Sequence, residues 1–314
     1  MSKKQNQNIP CIQHSPKKQP ASPGIGKSWK TASGKIPYGM TNDYMFRAVL
    51  QSSNKVLRGL ICSLLHLSEE EVTSISIQNS ILLGETIKHK EIRLDVYVLL
   101  NNHTLINLEM QVANRLNWKN RSVIYLCRSF DSLDHGQDYL EAKPVIHIGL
   151  LDYTLFRDCP EFYASYQLIN VKNQRKYSDI ITLNVIDLSR IDLATEEDKQ
   201  YHIDDWMSFM KATTWEEIRM LAAKNEYLEE AAETLSRLSA NKEILKQCHD
   251  IVEYYQDLKN YERAIEERDN IIAERDSAIA ERDSAIAERE NAIAEQEALI
   301  QQLRAENERL RAKE

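Results

Sequence analysis

The sequence predicts a mixed α/β core of the α+β kind carrying a long helical extension, and three observations predict it. Along residues 40–190 the apolar patterns come in the order helix, three strands, helix, strand. All eight Gly lie at or before Gly149 and the last Pro is Pro160, so the chain beyond should be largely helical. From Ile244 onward apolar residues recur every seven positions, the period of a coiled coil.

Taken in order, residues 1–38 mix Pro, Gly, Ser, Lys and Gln without periodicity, and are expected to be disordered because they offer too little apolar surface to offset ordering. They hold seven Lys and no acid, which suits a solubilising leader or a basic arm on phosphate backbones. Thr41 or Asn42 can cap a helix whose apolar positions Met45, Phe46, Val49, Leu50, Val56, Leu57, Leu60, Ile61 and Leu64 share a face, with a break near residues 52–54. Three strands follow at 72–83, 92–100 and 104–112. A helix over about 115–133 and strands at 144–153 and 179–188 complete the core, a domain of residues 39–190. A helical region spans 191–243.

Residues 244–314 are expected to form the coiled coil. Ile244, Ile251, Leu258, Ile265, Ile272, Ile279, Ile286, Ile293 and Ile300 fill one heptad position and Asn307 is next in the series. The other seam position holds Tyr254 and Tyr261, then Arg268, Arg275, Arg282 and Arg289, then Leu303 and Leu310. Isoleucine at a, leucine at d and a buried Asn favour a parallel homodimer, although the arginines weaken its middle; the competing form is a solvated single helix.

Composition bounds the function. The net charge of −8 averages a basic head and a tail, residues 262–314, with nine Lys and Arg against fifteen Asp and Glu, so it does not exclude a nucleic-acid partner. Five scattered cysteines without a CxxC pair read as reduced thiols of a cytoplasmic protein. No apolar run is long enough for a membrane span. Phosphate-binding, dinucleotide, serine-hydrolase and zinc-protease motifs are all missing.

The chemistry concentrates in "RLDVYVLLNNHTLINLEMQV", residues 93–112. With a period of two, Asp95 shares a face with Tyr97, and Glu109 shares one with Asn107 and Gln111. A two-residue Asn101-Asn102 turn would place Asp95 opposite Leu108. A three-residue loop, 101–103, pairs Asp95 with Glu109, and asparagine tolerates the left-handed backbone such a loop needs, so the three-residue register is expected. Two opposed carboxylates repel unless a divalent cation lies between them, and Mg2+ is held by one or two carboxylates with its own waters.

The spacing D-x13-E-x-Q, Asp95 to Glu109-Met110-Gln111, follows a helix opening "TNDYMFRAVL" and precedes one bearing "RSVIY". With the element order around it, it resembles the PD-(D/E)XK nuclease superfamily, and more narrowly the Rpn-type recombination-promoting nucleases often described as PD-(D/E)XK family transposases. The likeness covers about residues 40–190. It implies a restriction-endonuclease-like core and Mg2+-dependent (or Mn2+-dependent) hydrolysis of DNA, with Asp95 and Glu109 as metal ligands, the Met110 carbonyl as a further one, and Gln111 where the wider superfamily has Lys. A neutral amide orients water but brings no positive charge to the phosphate. Gln111 fits the Rpn-type subgroup, and the alternative is an inactive nuclease-derived interaction module.

Around this trio, Asp43 matches the family's opening Asp or is a helix-start charge. Arg121, Tyr125 and Arg128 form a stripe at i, i+4 and i+7 that meets DNA or simply meets water. Lys88, Lys90 and Arg93 are further phosphate contacts or ordinary loop residues, Glu85 and Glu91 a third acid or turn residues. His147, in an apolar strand, reads as a satisfied core residue.

Overall fold

The computed structural model describes residues 29–79, 81–82, 92–130 and 136–311, which form two compact units, Met1–Ile251 and Val252–Glu314. Order begins earlier than composition suggests. Trp29–Thr31 make a turn of 3-10 helix, and Trp29, Ala32 and Ile36 are buried in the main core. The Ile36 N–H donates to Thr213 O at 2.9 Å and Trp215 N–H to Gly34 O at 3.0 Å. The expected disorder of 1–38 therefore fails for 29–38: a few apolar side chains at near-helical spacing anchor a segment whose Lys and Ser face water. Residues 1–28 lie outside the described part.

Asn42 caps α1 (Asp43–Ser52), accepting from the Tyr44 and Met45 N–H groups, and Ser53 ends it and caps α2 (Asn54–Leu64). The break falls where it is expected. The next apolar run does not make one strand: it divides into β1 (Ile75–Ile77) and β2 (Ile81–Leu82). Likewise 92–100 divides into β3 (Ile92–Arg93), paired with β2, and β4 (Val96–Leu100), with a bend at Asp95. Then come β5 (Thr104–Gln111), α3 (Trp118–Phe130), β6 (Val145–Leu151), β7 (Tyr163–Ile169) and β8 (Lys176–Asp187). Strand β7, between the strands expected at 144–153 and 179–188, is an edge strand that the sequence reading did not include, and its outward residues lack the alternation that marks a half-buried strand.

The large sheet has the order β1-β4-β5-β6-β8-β7, with β5, β6 and β8 parallel at its centre and the outer strands antiparallel. One face carries Val96, Val98, Ile106, Leu108, Met110, Ile148, Leu150 and Ile186 into the main core with α1, α2 and, beyond the short α4 (Glu196–Gln200), α5 (Ile203–Lys211), α6 (Trp215–Ala222) and α7 (Glu226–Ser239). On the other, Leu94, Tyr97, Leu105 and Val145 meet Leu126 of α3, and Leu151 and Val185 meet Trp118. This is a restriction-endonuclease-like arrangement.

The stretch 191–243 is helical, as expected. Its helices belong to the first unit, as do the opening turns of α8 (Lys242–Arg311), where Cys248 is fully buried and its carbonyl accepts from Asn42 Nδ2 at 3.0 Å. The second unit is the remainder of that helix. Ile265, Ile272, Ile279, Ile286, Ile293 and Ile300 all lie about half exposed along it. Among the described residues no helix is long and apolar enough to cross a membrane.

Candidate functional site

The site is set by one short loop. Leu100 pairs with Thr104 across residues 101–103, and Asn101 and Asn102 adopt φ of 51° and 55°. Left-handed backbone of this kind is costly for most residues and cheap for asparagine. Asn101 also uses its side chain, accepting from the Thr73 and Ser74 N–H groups at 2.8 and 3.1 Å and donating to Glu71 O at 2.7 Å. The loop fixes the register down to Val96 opposite Leu108, the register of the three-residue reading, and the bend at Asp95 ends the ladder there.

Glu109 meets Arg121 of α3, and the charge of Asp95 acts on the Glu109 carboxyl. The Met110 N–H donates to Asp95 Oδ2 at 3.1 Å, while the Met110 side chain is buried on the other face in the main core. Glu109 is only 1% exposed. Arg121 Nη2, from the first turns of α3, lies 2.5 Å from Glu109 Oε1, and His147 Nε2 lies 3.7 Å from Glu109 Oε2. Gln111, buried, donates its amide to Ala113 O at 2.9 Å. Tyr125 sits under the Arg121 guanidinium at 5.0 Å, and Arg128 follows two turns beyond Arg121 on the same helix.

Further groups act on the pair, among them Asp43, weighed from the sequence as the family's opening Asp, and Arg47, which was not singled out. Asp43, at the start of α1, lies close enough for its charge to act on both carboxylates, and Arg47, one turn later, acts in the opposite sense on Asp95. An acid and a base four residues apart on a helix opening toward the hairpin was the available signal. His147 is a core residue, as expected, but also part of the site's wall. It is fully buried, with Asn107 Nδ2 at 2.7 Å from its Nδ1. With the amide donating, the ring proton sits on Nε2 and faces Glu109. The parallel register of β5 and β6, which sets Asn107 beside His147 and Glu109 beside Gly149, could have been guessed only with the strand pairing in hand. Gly149 in turn leaves room for Trp118, whose ring a methyl group there would meet at 2.0 Å. Residues 83–91, with Glu85, Lys88, Lys90 and Glu91, lie outside the described residues, as does the Arg93 side chain.

Burial dominates the electrostatics. It raises the Glu109 carboxyl to about 8, helped by the charges of Asp95 and Asp43 and opposed by Arg121. It raises Asp95 to about 6, with Asp43 adding to the rise and the Met110 N–H, Arg47 and Arg121 resisting it. Burial lowers His147 to about 3, so the imidazole is neutral. Two adjacent carboxylates with raised proton affinity form a site where a cation competes with protons. Arg121 stands at Glu109 Oε1, while among the described residues Glu109 Oε2 has no hydrogen-bond donor, which leaves one carboxylate oxygen for a cation. No cluster of three or more His, Cys, Asp or Glu with metal-binding geometry occurs among the described residues. The donor set is thus two carboxylates, which suits Mg2+ and its waters and does not suit zinc.

Searches of curated proteins and of solved structures find no match. The family model of the PD-(D/E)XK nuclease family transposases matches residues 40–264, from the capped start of α1 through the whole sheet and into α8, and on that match, covering well over half of its length, the chain belongs to this nuclease family.

Proposed function

We propose that the protein is a metal-dependent DNA endonuclease, cutting phosphodiester bonds in recombination, mobile-element movement or defence. The observation that supports this reading is that the Asp95 carboxylate accepts from the Met110 N–H, next in the chain to Glu109, and that its charge acts on Glu109, in a member of a nuclease family. Both would hold a Mg2+ (or Mn2+) ion, with the Met110 carbonyl as a third ligand. When bound, that ion supplies an activated water and neutralises charge on the phosphate. Arg121 balances the Glu109 charge in the metal-free protein and, once a cation takes over, is available to a phosphate oxygen. Tyr125 supports the guanidinium through its ring face, and Arg128 extends the same stripe along the DNA backbone. Gln111 orients water without contributing charge. Two copies joined through residues 244–314 would bring two such sites to the two strands, in the cytoplasm.

One observation favours a second reading, an inactive nucleic-acid or protein interaction module. The Gln111 amide is engaged with Ala113 O, and this position holds no lysine. Supercoiled-plasmid cleavage with Mg2+ or Mn2+ separates the two. Wild type should nick the plasmid, EDTA should stop it, and Asp95→Asn and Glu109→Gln should fall to background while remaining folded. Equal activity in all three proteins would remove the nuclease reading.

A further inference from the structure

Past the end of β5 is a cleft of about 310 Å3, lined by Asn114, Tyr153, Thr154, Arg157, Pro160 and Arg190. Its place follows from the chain path. The Asp152 N–H donates to Gln111 O at 3.0 Å, so the segment leaving β6 runs against the end of β5, and Asn114 lies three residues beyond Gln111. Tyr153 is near enough to Glu109 for that carboxylate to add to the rise of its phenol, which burial pushes to about 12. The walls are tied together: Thr154 Oγ1 meets Ser189 Oγ at 3.3 Å, and Asp152 is held by Lys211 at 3.0 Å.

The lining holds two guanidinium groups and no carboxylate. Arg190 is braced by Asp192 through its Nε and Nη2, at 3.2 and 3.3 Å. Arg157 is exposed and has no acidic partner among the described residues. A concave surface with a free planar cation, a second braced one, a hydroxyl and an amide matches a tetrahedral oxyanion. Tyr153 and Pro160 add flat apolar surface of the kind a sugar or base rests on. The geometry points to a subsite for a nucleic-acid backbone phosphate flanking the bond to be cut, with Arg157 as its principal contact. This rests on the nuclease reading above and extends it, by assigning the arm of the substrate that lies past Gln111.

The test is DNA binding by the full-length protein in EDTA, where no cleavage occurs, measured as anisotropy of a labelled duplex from about 50 to 300 mM salt. Each phosphate neutralised contributes about 0.9 to the slope of log affinity against log salt. Arg157→Ala should lower the slope by about one and weaken binding by roughly 3–10-fold at about 0.1 M salt, Arg157→Lys should keep most of the slope, and Arg190→Ala should weaken binding in the same sense. Arg237→Ala removes a charge from the exposed face of α7 and should behave as wild type. A slope unchanged in both Arg157→Ala and Arg190→Ala overturns the subsite. So does a variant that weakens binding of inorganic phosphate, followed by calorimetry, while leaving the DNA slope alone, since the cleft would then hold a free anion. If the subsite falls while Asp95-dependent nicking persists, the nuclease reading stands. A wild type that neither binds nor cuts DNA takes both down.

Discussion

Glu109 and His147 face each other with opposite preferences, and each leaves a signature in stability against pH. The carboxyl of Glu109 titrates higher in the folded chain, about 8, than in an unfolded one, so its contribution is largest below the unfolded value and is lost as pH rises through the folded one. Glu109→Gln, which keeps the shape of the neutral form, should therefore raise the urea midpoint in EDTA at pH 8.5, and the gain should shrink toward pH 5; a constant gain would mean that Glu109 is not a strained charge. For His147 the sign reverses. Its folded value, about 3, lies below the unfolded one, so its contribution is complete above about 6.5 and is lost as pH falls. By pH 5 the loss is about 2 kcal/mol at roughly 1.4 kcal/mol per pH unit. His147→Gln removes it, so the stability gap between wild type and variant should narrow by about that amount between pH 7.5 and 5; an unchanged gap would show that the ring accepts a proton without cost. Neither property was legible from residue identity. Asp95, Glu109 and Gln111 could be found because polar side chains stand out in an apolar hairpin. His147 could not, because a histidine in an apolar strand looks the same whether its neighbour is a carboxylate or a leucine.

Among the elements, α3 brings the Arg121 guanidinium against Glu109, and its seat on the sheet depends on the missing side chain of Gly149. The Trp118 ring occupies the space a methyl group would need, at 2.0 Å, and Arg121 follows one turn later. Gly149→Ala should consequently lift the start of α3 from the sheet and destabilise the protein by about 1–3 kcal/mol, the usual range for overpacking. Adding Trp118→Leu should recover part of that loss, a coupling that a double-mutant cycle in urea measures; additive losses would place the strain elsewhere. The same elements show what the sequence carried. Capped, amphipathic α1 and α2 were legible down to the break at Ser53, because capping is local. The hairpin register was legible because Asn101 and Asn102 restrict the loop. The division of 92–100 at Asp95 was not, since the apolar run reads on across the bend, although Leu94 turns to the α3 side with Tyr97 there. Strand β7 was missed because an edge strand with exposed Tyr166, Leu168 and Ile169 shows no inside and outside. Nor was the packing of 29–38, where Trp29 and Ile36 outweigh a composition typical of a leader.

At the scale of the whole molecule, the proposed nuclease depends on two kinds of association with opposite responses to salt. The Ile265 to Ile300 stripe is about half exposed, and full burial of such a side chain is worth roughly 1.5–3 kcal/mol, so a second copy has apolar surface to gain from. Residues 262–314 also carry fifteen acids against nine bases, so two parallel copies repel each other. Salt screens that repulsion over about 10 Å at 0.1 M and less above it. The proposed dimer should thus tighten from 50 to 500 mM salt, while binding to DNA phosphates weakens over the same range. Sedimentation of the full chain should show a dimer at high salt, and Ile279→Asp with Ile286→Asp should give a monomer at both salts by placing charge in the seam. Plasmid nicking then reports what the pairing does: a monomeric variant that still nicks but no longer converts circles to linear molecules would mean that each copy cuts one strand. A wild type that sediments as a monomer at every salt would leave α8 a solvated helix, and double-strand cutting would then require a partner other than a second copy.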